Sequence, residues 1–337
     1  MVRLVVVGAG GLVGRRVVRV LGEDPIPDLK LYLTGYSESI GKKVEFRGES
    51  LQITRTDLRL LKHADIVLLC TPAEASVELV QEIRGGPVII DTSSAFRMDP
   101  GVPLVVPEVN CDEIFAHKGL IAGPNCSTIQ LVMTLYPIYQ EFGLSRVHVT
   151  TYQSVSGAGY KAISELETSS FDFIATGRAN HGEDSVFPHP IAFNLIPQID
   201  AFQPNGYTRE EMKMVNETRK ILGEPDLPIS CTCVRVPVFI GHSEACLVET
   251  EKPPCLETIR ESLNRFPGVV VLDDPPNQVY PTPLKCQDTD PVYVGRLRRD
   301  LSSDRGVLYW AVADNLRRGA ATNACNIVKA LLRGEKT

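Results

Sequence analysis

The chain has 337 residues, of which 43% are hydrophobic and 23% charged, ordinary values for a soluble globular protein. This length predicts two domains of about 100–200 residues each, with a core that needs no disulfide staples. The net charge of −6 excludes a broadly basic protein, so we expect neither nucleic acid nor a membrane surface as a partner.

Two further classes are excluded by the residue pattern. No apolar run approaches the ~20 residues of a membrane span. The glycine-rich start of the chain, interrupted by Arg3, indicates a buried strand and no signal peptide. The nine cysteines are scattered without a CxxC pair, so we expect reduced thiols in a cytoplasmic protein and no metal site.

The first third of the chain alternates short apolar runs with helical stretches. The predicted strands are 3–7, 29–33, 65–70 and 87–91, and the predicted helices are 12–21 and 73–84. Strands this rich in β-branched residues are typical of a parallel sheet covered on both faces. Right-handed crossovers then predict a Rossmann-like nucleotide-binding domain, which we place at residues 1–125.

From Cys126 onward the pattern becomes mixed. Helices are predicted at 127–139, 160–175, 208–222, 255–265 and 320–333, and strands at 146–152, 229–238, 242–249, 292–298 and 307–313. Strands separated by long loops and helices predict an α+β second domain, which we place at residues 126–314. The fold class is therefore α/β with a mixed α+β second domain.

A glycine-rich turn follows the first predicted strand and opens the first helix. Its sequence is Gly8-Ala-Gly-Gly-Leu-Val-Gly14. Glycines there let the backbone turn tightly and approach a pyrophosphate at the helix N-terminus. Such turns also serve packing, but the strand–turn–helix context favours a dinucleotide site.

The residues after the second strand bear on the choice of cofactor. Lys42 or Lys43 would suit the 2′-phosphate of NADP, whereas Glu38 would suit the free 2′-hydroxyl of NAD. A solvated loop is the alternative interpretation for each residue, and the residues alone leave the cofactor open.

One cysteine differs from the others in its surroundings. It lies in Gly123-Pro-Asn-Cys126-Ser-Thr-Ile-Gln130, where Pro124 and Asn125 end a strand and begin a helix. The helix dipole and the unpaired amides of a first turn favour a thiolate. We therefore predict that Cys126 is a nucleophile, and that most of the other cysteines are small core residues.

A cysteine nucleophile needs an acid–base partner, and His242, beside a glycine turn between two strands, is a candidate among the six histidines. Arg97 follows the carboxyl end of a strand, where α/β proteins bind ligands. Arg235 lies between Val234 and Val236 in a predicted strand. An arginine fork matches phosphate or carboxylate, although a solvent-facing edge position is the alternative for Arg235.

Taken together, these motifs resemble aspartate-β-semialdehyde dehydrogenase through nearly the whole chain. The stretches that carry the resemblance are Val105–Asn110, Pro124–Gln130, Thr151–Gly159, Asn205–Lys213, Val234–Val238 with Gly241–Glu244, and Asp314–Ala321. Each motif alone is modest evidence, whereas six in the same order are specific.

The resemblance implies a reaction and its residues. Cys126 would be the nucleophile, His242 the acid–base group and Gln153 a holder of the acyl group. Aspartate 4-semialdehyde and aspartyl phosphate would interconvert through a thioester, in the biosynthesis of lysine, methionine and threonine. The residues implied for substrate and phosphate are Arg97, Asn125, Glu210, Lys213 and Arg235.

The resemblance also implies an NADP cofactor. The residues implied for it are Gly8, Gly10, Gly11, Leu12, Val13, Glu38, Ser39, Thr71, Ser156, Gly157 and Asn315. Glu38 departs from the family, which usually has an arginine before Ser-Ala-Gly-Lys, so NAD is also expected as a cofactor. The family further implies a homodimer or homotetramer, with segment 315–337 returning to the nucleotide domain.

Two rival functions are compatible with parts of this pattern. N-acetyl-γ-glutamyl-phosphate reductase shares the fold, the thioester and a Cys–His pair, but its acylated amine has no use for a carboxylate at Glu210. A non-catalytic relative would lose the nucleophile, whereas Cys126, Gln153 and His242 are all retained.

Overall fold

The computed structural model describes residues 1–178 and 181–334. The chain forms two compact units: the first comprises Met1–Asn125 with the chain from Gly319 onward, and the second is Cys126–Arg318. Residues 335–337 of the predicted C-terminal segment lie outside the described residues. No helix in the described ranges is long and apolar enough to cross a membrane.

Strands account for the two large sheets and one hairpin. In chain order they are β1 (Val2–Val7), β2 (Leu29–Gly35), β3 (Lys43–Phe46), β4 (Glu49–Gln52), β5 (Thr54–Arg55), β6 (Ile66–Leu69), β7 (Val88–Asp91), β8 (Leu120–Ala122), β9 (Arg146–Gln153), β10 (Ile229–Arg235), β11 (His242–Glu249), β12 (Val269–Val271), β13 (Val292–Arg299) and β14 (Gly306–Ala313).

Helices cover these sheets and carry several of the candidate residues. In chain order they are α1 (Leu12–Glu23), α2 (Leu58–Lys62), α3 (Ala73–Ile83), α4 (Pro107–Asn110), α5 (Cys126–Phe142), α6 (Tyr160–Thr176), α7 (Arg209–Leu222), α8 (Leu256–Arg265), α9 (Pro283–Cys286) and α10 (Asn323–Arg333). A π-helix, Arg317–Thr322, precedes α10.

The first unit is built on a sheet of six strands in the order β5-β2-β1-β6-β7-β8. Every neighbouring pair is parallel. Strand β6 is wholly buried and β1 is buried from Leu4 to Val7, as expected for a parallel sheet covered on both faces. The predicted Rossmann-like sheet is confirmed, and the β3–β4 hairpin is an element that the sequence pattern did not indicate.

The second unit is built on a mixed sheet of six strands in the order β10-β9-β11-β14-β13-β12. Its two outer pairs are parallel and its three inner pairs are antiparallel. Side chains alternate between a buried and a half-buried face, most clearly along β9 and β11. The predicted mixed second domain is confirmed.

Candidate active site

Cys126 is the first residue of α5 and is only partly buried. Five other cysteines are buried, at positions 231, 233, 246, 286 and 325. A thiol in a first helical turn lies at the positive end of the helix dipole, which favours the thiolate. The position of Cys126 therefore suits a reactive thiol.

Three buried side chains from neighbouring strands lie side by side on one face of the second sheet. Arg235 on β10 pairs in register with Gln153 on β9. The antiparallel register of β9 and β11 places His242 beside Gln153. We call Arg235, Gln153 and His242 the first row; all three are buried.

The residues two positions along each strand form a second row. The second row consists of Cys233, Thr151 and Glu244. Helix α5 approaches one residue of each row: the charge of Cys126 acts on Arg235 in the first row, and the Gln130 amide acts on Glu244 in the second. A spacing of four residues puts Cys126 and Gln130 on one side of α5.

Arg235 is held by a backbone carbonyl and an aromatic ring. Its Nη1 donates to the Ser154 carbonyl at 2.7 Å, and its guanidinium lies 5.8 Å from the centre of the Phe187 ring. Burial lowers the pKa of Arg235, and the charge of Glu210 opposes that shift. An arginine remains charged under all ordinary conditions, so the first row contains a fixed cation.

The space in front of the first row depends on Gly157. A Cβ atom at this position would lie 3.2 Å from Nη1 of Arg235 and 3.5 Å from Nε2 of His242. Glycine therefore leaves room for a bound group between the arginine and the histidine.

Glu210 and Lys213 lie on α7 and form an ion pair of 3.1 Å; Lys213 also pairs with Asp200 at 3.0 Å. Burial alone would lower the pKa of Lys213, but the two carboxylates outweigh it and the pKa is raised. The predicted pair is thus brought together, with Asp200 as an unpredicted third member.

His242 is completely buried. Burial, and after it the positive charge of Arg235, lowers the pKa of His242 to about 3. The imidazole is therefore neutral at physiological pH. Its Nδ1 lies 3.0 Å from the backbone nitrogen of Ser154, a contact that the sequence did not reveal.

In the first unit, the glycine turn leads from β1 into α1. Gly8 has a φ of +81°, and a Cβ there would lie 2.3 Å from the Cys70 carbonyl oxygen. Gly11 is the N-cap of α1 and contributes no capping side chain. The first amides of α1, which include those of Leu12 and Val13, therefore have no capping side chain. Backbone N–H groups at the start of a helix without such a cap can donate hydrogen bonds to a bound anion.

Glu38 and Ser39 lie in a short 3₁₀ turn after β2. Ser39 packs against the glycine turn, since a Cβ at Gly10 would lie 2.4 Å from the Ser39 Cβ. Glu38, Lys42 and Lys43 are exposed. The loop thus presents both signs of charge to solvent.

A chain of buried hydroxyl groups follows β6 and β7. Thr71 and Ser76 are hydrogen-bonded through their hydroxyl groups at 2.8 Å, and Ser76 donates to Asp91 at 2.8 Å. Ser93 donates to the other Asp91 oxygen at 2.6 Å. Burial nevertheless raises the pKa of Asp91. The side chain of Thr71 is therefore held by its neighbours.

Arg97 is buried near the carboxyl end of β7. Its Nε donates to the Gly123 carbonyl at 2.9 Å and its Nη2 to the Thr92 carbonyl at 3.0 Å. Asn125, the last residue of this part of the first unit, is also buried. Backbone carbonyls thus orient the Arg97 guanidinium.

Comparison with known proteins decides the family. Two family models match, "Semialdehyde dehydrogenase, NAD binding domain" over residues 3–117 and "Semialdehyde dehydrogenase, dimerisation domain" over residues 135–318. An aspartate-semialdehyde dehydrogenase of Aquifex aeolicus is 46% identical over 98% of both chains. The chain belongs to the aspartate-semialdehyde dehydrogenase family.

Other members of the family are also similar to this chain over nearly its whole length. The Bacillus subtilis aspartate-semialdehyde dehydrogenase is 42% identical over 97% of this chain and 96% of its own. A crystal structure of aspartate semialdehyde dehydrogenase II from Vibrio cholerae, described as complexed with ASA, is 40% identical with a TM-score of 0.94, and covers 100% of this chain and 99% of that one. Family membership makes this chain an oxidoreductase.

Three residues of the site had no predicted role. Ser154 lies inside the motif Thr151–Gly159, so its place between Gln153 and Ser156 was a usable signal. Asp200 and Phe187 had no such signal, because their partners Lys213 and Arg235 are distant along the chain.

Proposed function

We propose that this chain catalyses the phosphate-dependent interconversion of L-aspartate 4-semialdehyde and L-4-aspartyl phosphate through a thioester on Cys126. The observation that carries this proposal is that Cys126, at the start of α5, lies close enough to Arg235 for their charges to interact, while Arg235 pairs in register with Gln153 next to His242. A thiolate near a fixed cation suits covalent chemistry on a small anionic aldehyde.

The charges of the second unit fit an amino-acid substrate. We assign the α-carboxylate to Arg235, whose fork can bind it at two points, and the amino group to Glu210. Lys213, held by Glu210 and Asp200, is assigned to phosphate. Arg97 and Asn125 of the first unit are assigned to substrate and phosphate on the resemblance alone.

The reaction follows from these assignments. In the oxidising direction the Cys126 sulfur adds to the aldehyde carbon, and the carbonyl oxygen gains the negative charge. Gln153 and His242 are assigned to the acyl group and its oxygen. Loss of hydride from the same carbon restores the C=O bond as a thioester, and phosphate then displaces the thiolate.

The cofactor is assigned to the first unit, and the residues there fit it. A bare glycine turn and an uncapped start of α1 suit a pyrophosphate; when bound, the nicotinamide supplies the hydride acceptor. We propose NADP, with Lys42 or Lys43 at its 2′-phosphate, and acceptance of NAD because of Glu38. Ser156, Gly157 and Asn315 of the second unit are assigned to the cofactor on the resemblance alone.

We propose that the protein is a homo-oligomer in the cytoplasm, a homodimer or homotetramer. The second sheet carries half-buried apolar residues on the side opposite the first row, among them the tilted aromatic pair Tyr152 and Trp310, with ring centres 5.3 Å apart. The nine cysteines all lie within residues 1–178 and 181–334 and none of them forms a disulfide, which suits a reducing compartment.

The test is oxidation of aspartate 4-semialdehyde with and without phosphate, with NADP and with NAD, beside a Cys126→Ala variant. Phosphate-dependent turnover that disappears in the variant is the expected result. Turnover only with N-acetylglutamate 5-semialdehyde, or with no semialdehyde at all, would overturn the proposal.

A further inference from the structure

The carboxylate of Asp91, at the end of β7, accepts three hydrogen bonds inside the first unit. Oδ1 accepts from the Ser76 hydroxyl at 2.8 Å and from the Ser93 backbone N–H at 3.2 Å, and Oδ2 accepts from the Ser93 hydroxyl at 2.6 Å. Burial raises the pKa of Asp91, whereas these bonds and the charge of Arg97 favour its ionised form. Burying a carboxylate costs stability, so the groups that it holds point to its use.

One arm of this network runs through Ser76 to Thr71, which follows β6. Ser76 has a single hydroxyl proton, and it donates that proton to Asp91. The Thr71 hydroxyl must therefore be the donor in its 2.8 Å bond with Ser76. The Thr71 proton is directed inward, so Thr71 can accept a hydrogen bond from a ligand through its lone pairs but cannot donate one.

Thr71 lies beside the glycine turn that we assign to the pyrophosphate. Its Cγ2 would be 3.4 Å from a Cβ atom at Gly8. Thr71 is 9% exposed, whereas Ser76 and Asp91 are completely buried, so this arm leads from the interior to the glycine turn. A phosphate oxygen offers no proton to an acceptor. The group that fits Thr71 is therefore a hydroxyl or an amide N–H of the dinucleotide, on a ribose or on the nicotinamide carboxamide.

The other arm shapes the turn that carries Arg97. Ser93 is bound to Asp91 through both its N–H and its hydroxyl, and its hydroxyl oxygen accepts the Ala95 N–H at 3.1 Å. Arg97 follows two residues later and donates back to the Thr92 carbonyl at 3.0 Å. The position of the Arg97 cation thus depends on a turn that is fixed at Asp91.

We propose that Asp91 is a positioning residue shared by two ligand sites of the first unit. Through Ser76 it fixes the Thr71 hydroxyl as an acceptor for a hydroxyl or amide donor of the dinucleotide. Through Ser93 it holds Arg97 in place for phosphate. This inference rests on the proposed function, which assigns the dinucleotide and the phosphate to these residues.

Binding of NADP to the resting protein tests the first arm without turnover. Thr71→Val keeps the shape and removes the acceptor, so calorimetric titration should show NADP binding about tenfold weaker, the effect of one lost hydrogen bond. Ser76→Ala should also weaken binding. The double variant should bind no more weakly than Thr71→Val, because Ser76 acts only through Thr71. Losses that multiply in the double variant would overturn the first arm.

The acetylpyridine analogue of NADP separates the two candidate donors, since it keeps the ribose hydroxyls and lacks the carboxamide N–H. If the donor is a ribose hydroxyl, Thr71→Val loses as much affinity for the analogue as for NADP. If the donor is the carboxamide, the loss is absent with the analogue. Equal NADP affinity of the wild type and Thr71→Val would overturn the acceptor role.

Steady-state kinetics with inorganic phosphate test the second arm. Ser93→Ala should raise the KM for phosphate by about tenfold, with NADP affinity within about twofold of the wild type. Ser76→Ala should show the opposite pattern. Equal effects of these two variants on both properties would overturn the division into two arms.

Asp91→Asn should impair both NADP affinity and the KM for phosphate, because its amide nitrogen replaces one of the two accepting oxygens. A folded Asp91→Asn protein with either property at the wild-type value would overturn the shared role. If this variant does not fold, the opposite patterns of Ser76→Ala and Ser93→Ala decide. A wild type that binds no NADP would overturn the proposed cofactor as well, whereas altered patterns in an active enzyme would overturn this inference alone.

Ser262→Ala is the matched control. The Ser262 hydroxyl is also buried and also donates to a carboxylate, that of Glu141, at 3.1 Å, but it lies on α8 of the second unit. Its loss should leave NADP affinity and the KM for phosphate unchanged. The same shifts in Ser262→Ala would show that losing any such bond perturbs both sites, and would overturn the proposal.

Discussion

His242 and Glu244 lie on the same buried face of β11, two residues apart, and burial shifts the pKa of each toward its uncharged form. Burial lowers the pKa of His242 to about 3 and raises that of Glu244 well above its usual value. Neither oxygen of Glu244 has a hydrogen-bond partner of ordinary length in the described chain. The Gln130 amide acts on that carboxyl, but too weakly to reverse the effect of burial.

Glu244→Gln should therefore change how stability depends on pH. Because the folded pKa lies above the unfolded value of 4.5, the wild type takes up a proton on folding and loses stability as the pH rises above 4.5. The uncharged glutamine side chain does not titrate, so the variant has no such loss. As the pH rises toward the folded pKa, the free energy of unfolding of the variant should increase relative to that of the wild type by up to about 1.4 kcal/mol per pH unit.

The free energy of unfolding, obtained from urea unfolding at pH values between about 5 and 9 in steps of roughly one unit, measures this difference. Glu261→Gln, on the exposed side of α8, is the control and should track the wild type. A constant difference between Glu244→Gln and wild type at every pH would show that Glu244 is ionised in the fold.

Cys126→Ser should abolish turnover, by at least ~10³-fold, because a serine hydroxyl lacks the thiolate that attacks the aldehyde. Phosphate-dependent cofactor reduction measures the loss. Cys255→Ser is the control, since Cys255 is the exposed cysteine that precedes α8, and it should leave the rate unchanged. Comparable activity in both variants would contradict a thioester on Cys126.

Gly157→Ala should lower kcat/KM by about 10²-fold, because a methyl group 3.2 Å from Arg235 and 3.5 Å from His242 displaces a substrate by about an ångström. Gly182→Ala adds the same methyl group where nothing lies within 4 Å. Steady-state kinetics should show no change in this control. An equal effect of both substitutions would mean that the first row does not face the substrate.

Glu38→Arg should raise the preference for NADP over NAD by about 10- to 100-fold, since a charge-assisted hydrogen bond to the 2′-phosphate contributes roughly 1.5–3 kcal/mol. The ratio of kcat/KM values for the two cofactors is the measurement. Glu45→Arg on β3, also exposed, makes the same change of charge and should leave the ratio near that of the wild type. An unchanged ratio in Glu38→Arg would place the 2′-position elsewhere.

Much of the fold was predictable because its strands carry a strong local pattern. The bounds of β11 were predicted to the residue, and those of β1 and α3 to within one residue. The β3–β4 hairpin and the short strand β8 were not predicted, since their half-exposed or brief runs carry little periodicity. Residues 320–322 of the π-helix Arg317–Thr322 were predicted as the start of the last α-helix, because a single π turn leaves no distinct mark in the apolar pattern.

The sequence by itself determined the family and predicted the nucleophile and the charged site residues, because these lie in contiguous motifs with specific spacing. Only the tertiary structure decided which backbone amide contacts Nδ1 of His242, which carboxylates pair with Lys213, and that Glu244 is buried. The physical reason is that register and burial come from pairing between distant strands. A hydrogen bond such as that from Ser154 to His242 joins residues 88 positions apart, and no local pattern records it.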